Sequence, residues 1–167
     1  MKEAQLTAAG IVMDVMEGNN LNKVFQKYSK ENKINPKDIS QIKDLVFGTL
    51  RSYGKTKFVI NKLVKRTPSN PLILTLLHIA LFQLISKRSN SYTVVDQAVS
   101  ASNMINKIHT KFVNGVLRSF LREKAGILDK AEKIDEAKYS YPIWWINLIK
   151  NEYPKSWNNI LDIGNSH

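Results

Sequence analysis

The 167-residue chain contains no cysteine, which excludes a disulfide framework, a thiolate metal site and a cysteine nucleophile. Its three histidines, at 78, 109 and 167, are scattered and do not restore a metal centre. No apolar run approaches the roughly 20 residues that a bilayer span requires. The opening MKEAQLTAAGIVMDVMEG carries Glu3 and Asp14 in place of the basic entry of a signal peptide. A soluble, cytoplasmic protein with no membrane partner is expected. The seven glycines, at 10, 18, 48, 54, 115, 126 and 164, nowhere form G-x-G, so the sequence writes no dinucleotide or phosphate cradle and no usual methyl-donor loop. Acids are sparse, 14 against 25 Lys and Arg, and none pairs with another at helical spacing on an apolar face, as acid–base chemistry would want. No catalytic constellation remains, and the expectation is a binding chain with no metal and no cofactor of its own.

What is present is positive charge, unevenly spread. The net charge is +11. Residues 1–50 hold seven Lys against six acids, and residues 125–167 hold five Lys against six acids. Between 51 and 124, thirteen cations face only Asp96 and Glu123, so the whole excess lies there. Such a field draws polyanions over a Debye length of roughly 8 Å at physiological salt. Nucleic acid is the first partner to consider and an anionic membrane the second, against the plain alternative of a solvated basic surface. The nucleic-acid reading requires these cations to gather on one outward face.

The apolar pattern is helical almost throughout. Ala4, Ala8, Ile11, Val12, Val15 and Met16 form a first amphipathic helix that stops at Gly18-Asn19-Asn20. Leu21, Val24, Phe25 and Tyr28 form a second. Asn35-Pro36 restarts the chain into Ile39, Ile42, Leu45, Val46, Leu50 and Tyr53, with a break expected at Gly54 before Phe58, Val59, Leu63 and Val64. Thr67-Pro68-Ser69-Asn70-Pro71 is a linker that places Asn70 as N-cap and Pro71 first in the next helix. The run 72–85, LILTLLHIALFQLI, is apolar all round and must be central. It ends at Lys87-Arg88, cations suited to a helix C-terminus. Ser91 is the expected cap of the following helix, and a last one carries Phe112 to Leu121 and stops before Gly126. No segment alternates as a strand does, so the fold class is all-α. The expected organisation is a bundle over 1–126 of two pseudo-repeated halves, then a C-terminal helical extension over 127–167. In that extension Pro142 and Pro154 start short helices bearing Trp144, Trp145 and Trp157, either packing on the bundle or stacking on bases.

Two segments echo each other: Phe47-Gly48-Thr49-Leu50-Arg51-Ser52-Tyr53 and Asn114-Gly115-Val116-Leu117-Arg118-Ser119-Phe120. Each places a glycine inside a helix, at a cost of roughly 1 kcal/mol relative to alanine, so each glycine serves a close approach, of a second helix or of a phosphate. Arg51 and Arg118 share a face with these glycines. They either face solvent or pair internally with Asp96. His78, on the most apolar helix, reads as a hydrogen-bonded core histidine.

Three stretches carry a likeness: LVFGTLRSYGKTKFVINKLVKR (45–66), LHIALFQLISKRSNSYTVVDQAVSASN (77–103) and KFVNGVLRSFLRE (111–123). In this order and spacing they resemble the NusB-like RNA-binding domain. FG-x-LR at 47–51, INKL at 60–63 and the tail YP-x-W with EYPKSW (141–157) resemble in particular the version at the N-terminus of ribosomal RNA cytosine-5 methyltransferases of the Sun (RsmB) type. The resemblance implies a helical bundle that binds structured RNA and presents ribosomal RNA to a separate domain using S-adenosylmethionine. Enzymes of that family use a nucleophilic cysteine and a glycine-rich donor loop, neither of which is in this chain, so the expectation is a non-catalytic N-terminal piece of a longer enzyme. Its RNA-binding residues would be Lys55, Lys62, Lys65, Arg66, Lys111, Arg118 and Arg122, with Arg51 beside them. The alternative is a NusB-type transcription antitermination factor or a protein-docking module, one docking on its own methyltransferase domain included. The arginine-rich arm expected of an antitermination factor is not evident in MKEAQLTAAG.

Overall fold

Asparagine side chains set where several of the helices begin. In the computed structural model, which describes residues 1–31, 34–87, 89–134, 137, 138, 150, 154, 155 and 157–159, α1 (Lys2–Met16) is followed by α2 (Leu21–Lys30), which Asn20 caps by accepting from the Lys23 N–H. Asn35 and Pro36 open a 3-10 turn (Pro36–Asp38) that leads into α3 (Ile39–Arg51) and α4 (Tyr53–Leu63). Asn70 accepts from the Leu72 and Ile73 N–H groups and Pro71 occupies the first position of α5 (Pro71–Ser86), as the linker sequence dictates. α6 (Ser91–Ile105), a 3-10 turn (Lys107–His109) and α7 (Thr110–Glu132) complete the bundle. There is no strand among the described residues, and the fold is all-α.

Three boundaries differ from the sequence expectation. The break between α3 and α4 falls at Ser52 and not at Gly54, because the Ser52 hydroxyl bonds back to the Gly48 carbonyl at 2.7 Å and competes with helix continuation. α6 is capped by Asn90, extended and accepting from Thr93 N–H, with Ser91 already helical. Gly126 does not end α7, since Ile127 and Ala131 prolong its buried stripe as far as Glu132. One helix therefore runs through the 126/127 boundary drawn from the sequence. In the tail, Trp144 and Trp145 and the helix expected at Pro142 lie outside the described residues. Trp157 carries Lys150 Nζ 4.2 Å from its ring centroid.

The all-apolar run forms the centre. Leu76, Ile79 and Phe82 of α5 pack with Ala8, Ile11, Val12, Ile42 and Val46 of α1 and α3. Ile73, Leu77, Leu81 and Leu84 pack with α4, α6 and α7 through Val59, Val94, Leu117 and Phe120. Each Val, Leu, Ile or Phe side chain so buried contributes about 1.5–3 kcal/mol, so α5 ties the two clusters into one bundle. Buried polar groups add specific ties. Gln5 Nε2 donates to Gln83 Oε1 at 2.8 Å. His78 shares a hydrogen bond with Thr56 Oγ1 and stacks on Tyr53, ring centroids 4.1 Å apart. His78 is thus the bonded core histidine expected. Among the described residues no helix is long and apolar enough to cross a membrane.

Candidate nucleic-acid interface

Along α7 the helical period sorts the side chains. Val113, Val116, Leu117 and Phe120 turn into the core. Lys111, Gly115, Arg118 and Arg122, at steps of four, three and four, lie on the opposite side and are exposed. The end of α4 comes against this stripe, and Lys65 and Arg66 line with Lys111, Gly115 and Ser119 a cleft of about 400 Å³. On the other flank α6 contributes Tyr92 and Val95 to two further clefts, one with Asp96, Lys111, Asn114 and Arg118, the other with Arg118, Leu121 and Arg122. Five of the residues named from the sequence, Lys65, Arg66, Lys111, Arg118 and Arg122, are therefore neighbours on one surface.

Arg118 and Arg122 are steered by their own helix. Arg118 Nε donates to Asn114 Oδ1 at 3.1 Å, and an Arg122 terminal nitrogen donates to Ser119 Oγ at 3.0 Å. These bonds orient the guanidinium groups without cancelling their charge. Asp96, the internal partner considered from the sequence, is exposed and meets Gln97 Nε2 at 3.4 Å. Among the described residues no ion pair joins it to Arg51, Arg118 or Arg122.

The other named cations lie elsewhere. Lys55 Nζ is 3.8 Å from Glu132 Oε1, so its charge is matched by an acid late in α7. Lys62 is exposed, 5.3 Å above the Phe58 ring. Arg51 is half-buried in the last turn of α3. None of these three lines the clefts along α7. Lys124 falls on the core side of the α7 period and donates to the Leu84 carbonyl at 3.0 Å, at the C-terminal end of α5. Burial, with Lys87 nearby, lowers its pKa. His78, by burial first and the Lys57 charge second, has its pKa lowered to about 3 and stays neutral in the fold.

The echoed glycines differ in their surroundings. A Cβ on Gly48 would overlap the Phe82 ring, so this glycine admits α5. A Cβ on Gly115 would meet nothing within 4 Å. Gly115 leaves open backbone between Lys65, Arg66 and Lys111, a helix surface that an extended phosphate chain can approach closely. Two contributors were not anticipated from the sequence. Tyr92 is 75% exposed beside Arg118 and Arg122, and Asn114 orients Arg118. Tyr92 could have been found by its register, since it stands off the buried stripe of Val94, Val95, Ala98 and Ala101.

Comparison with known proteins adds ancestry to this geometry. A model of the NusB family matches residues 2–122. "Probable ribosomal RNA small subunit methyltransferase B" of Coxiella burnetii is 34% identical over 135 residues, covering 79% of this chain and 31% of that protein. "Ribosomal RNA small subunit methyltransferase B" of Yersinia pseudotuberculosis is 30% identical over 163 residues, 96% of this chain and 37% of that protein, and its Yersinia pestis counterpart matches to the same extent. The chain spans about a third of the length of these curated relatives.

Proposed function

Since the chain belongs to the NusB family, we propose that it is an RNA-binding domain of a small-subunit ribosomal RNA methyltransferase, non-catalytic by itself and acting in the cytoplasm. The observation that carries this reading is the α7 stripe. Lys111, Arg118 and Arg122, with Lys65 and Arg66 across the Gly115 gap, form a cationic surface on which Arg118 and Arg122 are pre-aimed by Asn114 and Ser119. Long cations of this kind hold phosphates and leave bases unread, which suits recognition of a folded RNA by backbone and shape. Ribosomal RNA is the partner that the names of the relatives supply. The methyltransferase names also favour this reading over antitermination. S-adenosylmethionine would be held outside this chain, because the described helical glycines stand singly and no glycine-rich turn accompanies them. The methyltransferase domain of the same enzyme would be the natural protein neighbour.

The test is binding of the chain to a small-subunit ribosomal RNA fragment across a salt series. Five phosphate contacts predict a slope of log K against log salt of about −4, and Arg118→Ala should reduce its magnitude by roughly one. Affinity that is independent of salt, or unchanged by Arg118→Ala together with Arg122→Ala, would overturn the assignment.

A further inference from the structure

Asp96 stands exposed within a surface that is otherwise cationic. It lines the same cleft as Lys111 and Arg118 but, among the described residues, pairs with neither. A carboxylate at this place repels the phosphates that the stripe attracts, so backbone binding does not account for it. The cleft has an apolar floor, Val95 and Val99, and Tyr92 forms a rim shared with the adjoining cleft. Its volume of about 300 Å³ is at the small end of ligand sites, enough for a single nucleotide and too little for a helix.

Besides the cations Lys111 and Arg118 and the Thr110 hydroxyl, which donates to the Lys107 carbonyl, the cleft is lined by two polar side chains that can read a base edge. Asp96 presents two acceptor oxygens, Oδ2 also facing Gln97 Nε2 at 3.4 Å, and no donor. Asn114 has committed its Oδ1 to Arg118, which leaves its amide N–H groups as donors. The pattern offered is therefore acceptor, acceptor, donor. The Watson–Crick edge of guanine complements it with two adjacent donors, N1–H and N2–H, beside the O6 acceptor. Cytosine and adenine would set a ring-nitrogen acceptor against the second carboxylate oxygen, and uracil would set a carbonyl there.

We propose that the α6–α7 cleft is a base pocket for one unstacked guanine of an RNA loop. Asp96 accepts from N1–H and N2–H, Asn114 donates to O6, Tyr92 offers its ring for stacking, and Arg118 holds the adjoining phosphate. The inference rests on the RNA-binding reading of the same surface and adds to it a single-stranded element and a base preference, because only unpaired nucleotides expose this edge.

The test uses two RNA hairpins with one stem, one with an all-uridine loop and one with a single guanine in that loop, titrated against the 167-residue chain at fixed salt. The chain should bind the guanine hairpin about tenfold more tightly, the discrimination of one good bidentate contact. Asp96→Asn should abolish that preference while leaving uridine-loop binding equal or tighter, because a negative charge is lost. Tyr92→Ala should weaken the guanine hairpin by about tenfold, and both exposed substitutions should leave the thermal midpoint in place. Equal binding of the two hairpins that still weakens with Arg118→Ala would overturn the pocket and leave the RNA reading standing. Binding of neither hairpin nor the ribosomal fragment would overturn both. A guanine preference that survives Asp96→Asn would overturn the role given to this carboxylate.

Discussion

His78 shows how one buried side chain makes the whole bundle sensitive to acid. Its folded pKa of about 3 lies far below the ordinary value of 6.5, chiefly through burial. Between these values the unfolded chain binds a proton that the folded chain refuses, so stability is complete above about pH 6.5 and falls as pH drops. Each pH unit in that window costs about 1.4 kcal/mol. Lowering the pH from 6.5 to 5 should therefore remove about 2 kcal/mol from the free energy of urea unfolding, and His78→Gln should flatten that part of the profile. The two echoed glycines make a second residue-scale contrast. Gly48→Ala forces the Phe82 ring to move and should destabilise by about 1–2 kcal/mol, overpacking outweighing the gain in helix propensity. Gly115→Ala meets no obstacle and should stabilise by about 1 kcal/mol. If a phosphate chain approaches Gly115, the same substitution weakens RNA binding while the thermal midpoint rises. The sequence made both glycines equally noteworthy. Which one admits a helix depends on Phe82, 34 positions from one and 33 from the other, and no local pattern encodes that.

At the scale of elements, helix ends decide where cations go. α5 finishes at Lys87, a non-glycine residue in left-handed backbone at φ 56°, whose N–H bonds the Gln83 carbonyl. The same end receives Lys124 from α7 on the Leu84 carbonyl, where a cation also opposes the negative end of the helix dipole. Lys124→Met should lower stability by about 1 kcal/mol, read as a shift of denaturant midpoint, without changing the salt slope of RNA binding. The start of α5 was legible because Asn70 and Pro71 act within a turn of where they stand, and that of α2 because Gly18-Asn19-Asn20 interrupts the apolar period. The end of α7 was not, because Ile127 and Ala131 extend that helix through contacts made in three dimensions, and these outweigh the cost of Gly126.

For the whole molecule, the excess charge of residues 51–124 is divided by packing. Lys65, Arg66, Lys111, Arg118 and Arg122 share the α7 surface, Lys55 is matched by Glu132, and Lys124 is bound to the end of α5. Charge reversal should follow this division. Arg118→Glu should weaken binding to ribosomal RNA at least tenfold at low salt, and Lys55→Glu should weaken it several-fold less, since Lys55 is not on the proposed RNA surface and its charge already has a partner. Filter binding of the two variants side by side checks this. Equal losses would show that net charge acts without regard to place.

The sequence alone determined the helical class, the central position of the 72–85 run, the cap at Asn70 and the crowding of the excess positive charge into residues 51–124. These follow from spacing, propensity and composition, which act along the chain. Tertiary structure alone decided which cations are neighbours, which glycine is filled and which is open, and that Tyr92, Asp96 and Asn114 line one cleft. Those outcomes depend on how α4 and α6 pack against α7, and helix packing brings together residues that the sequence keeps far apart.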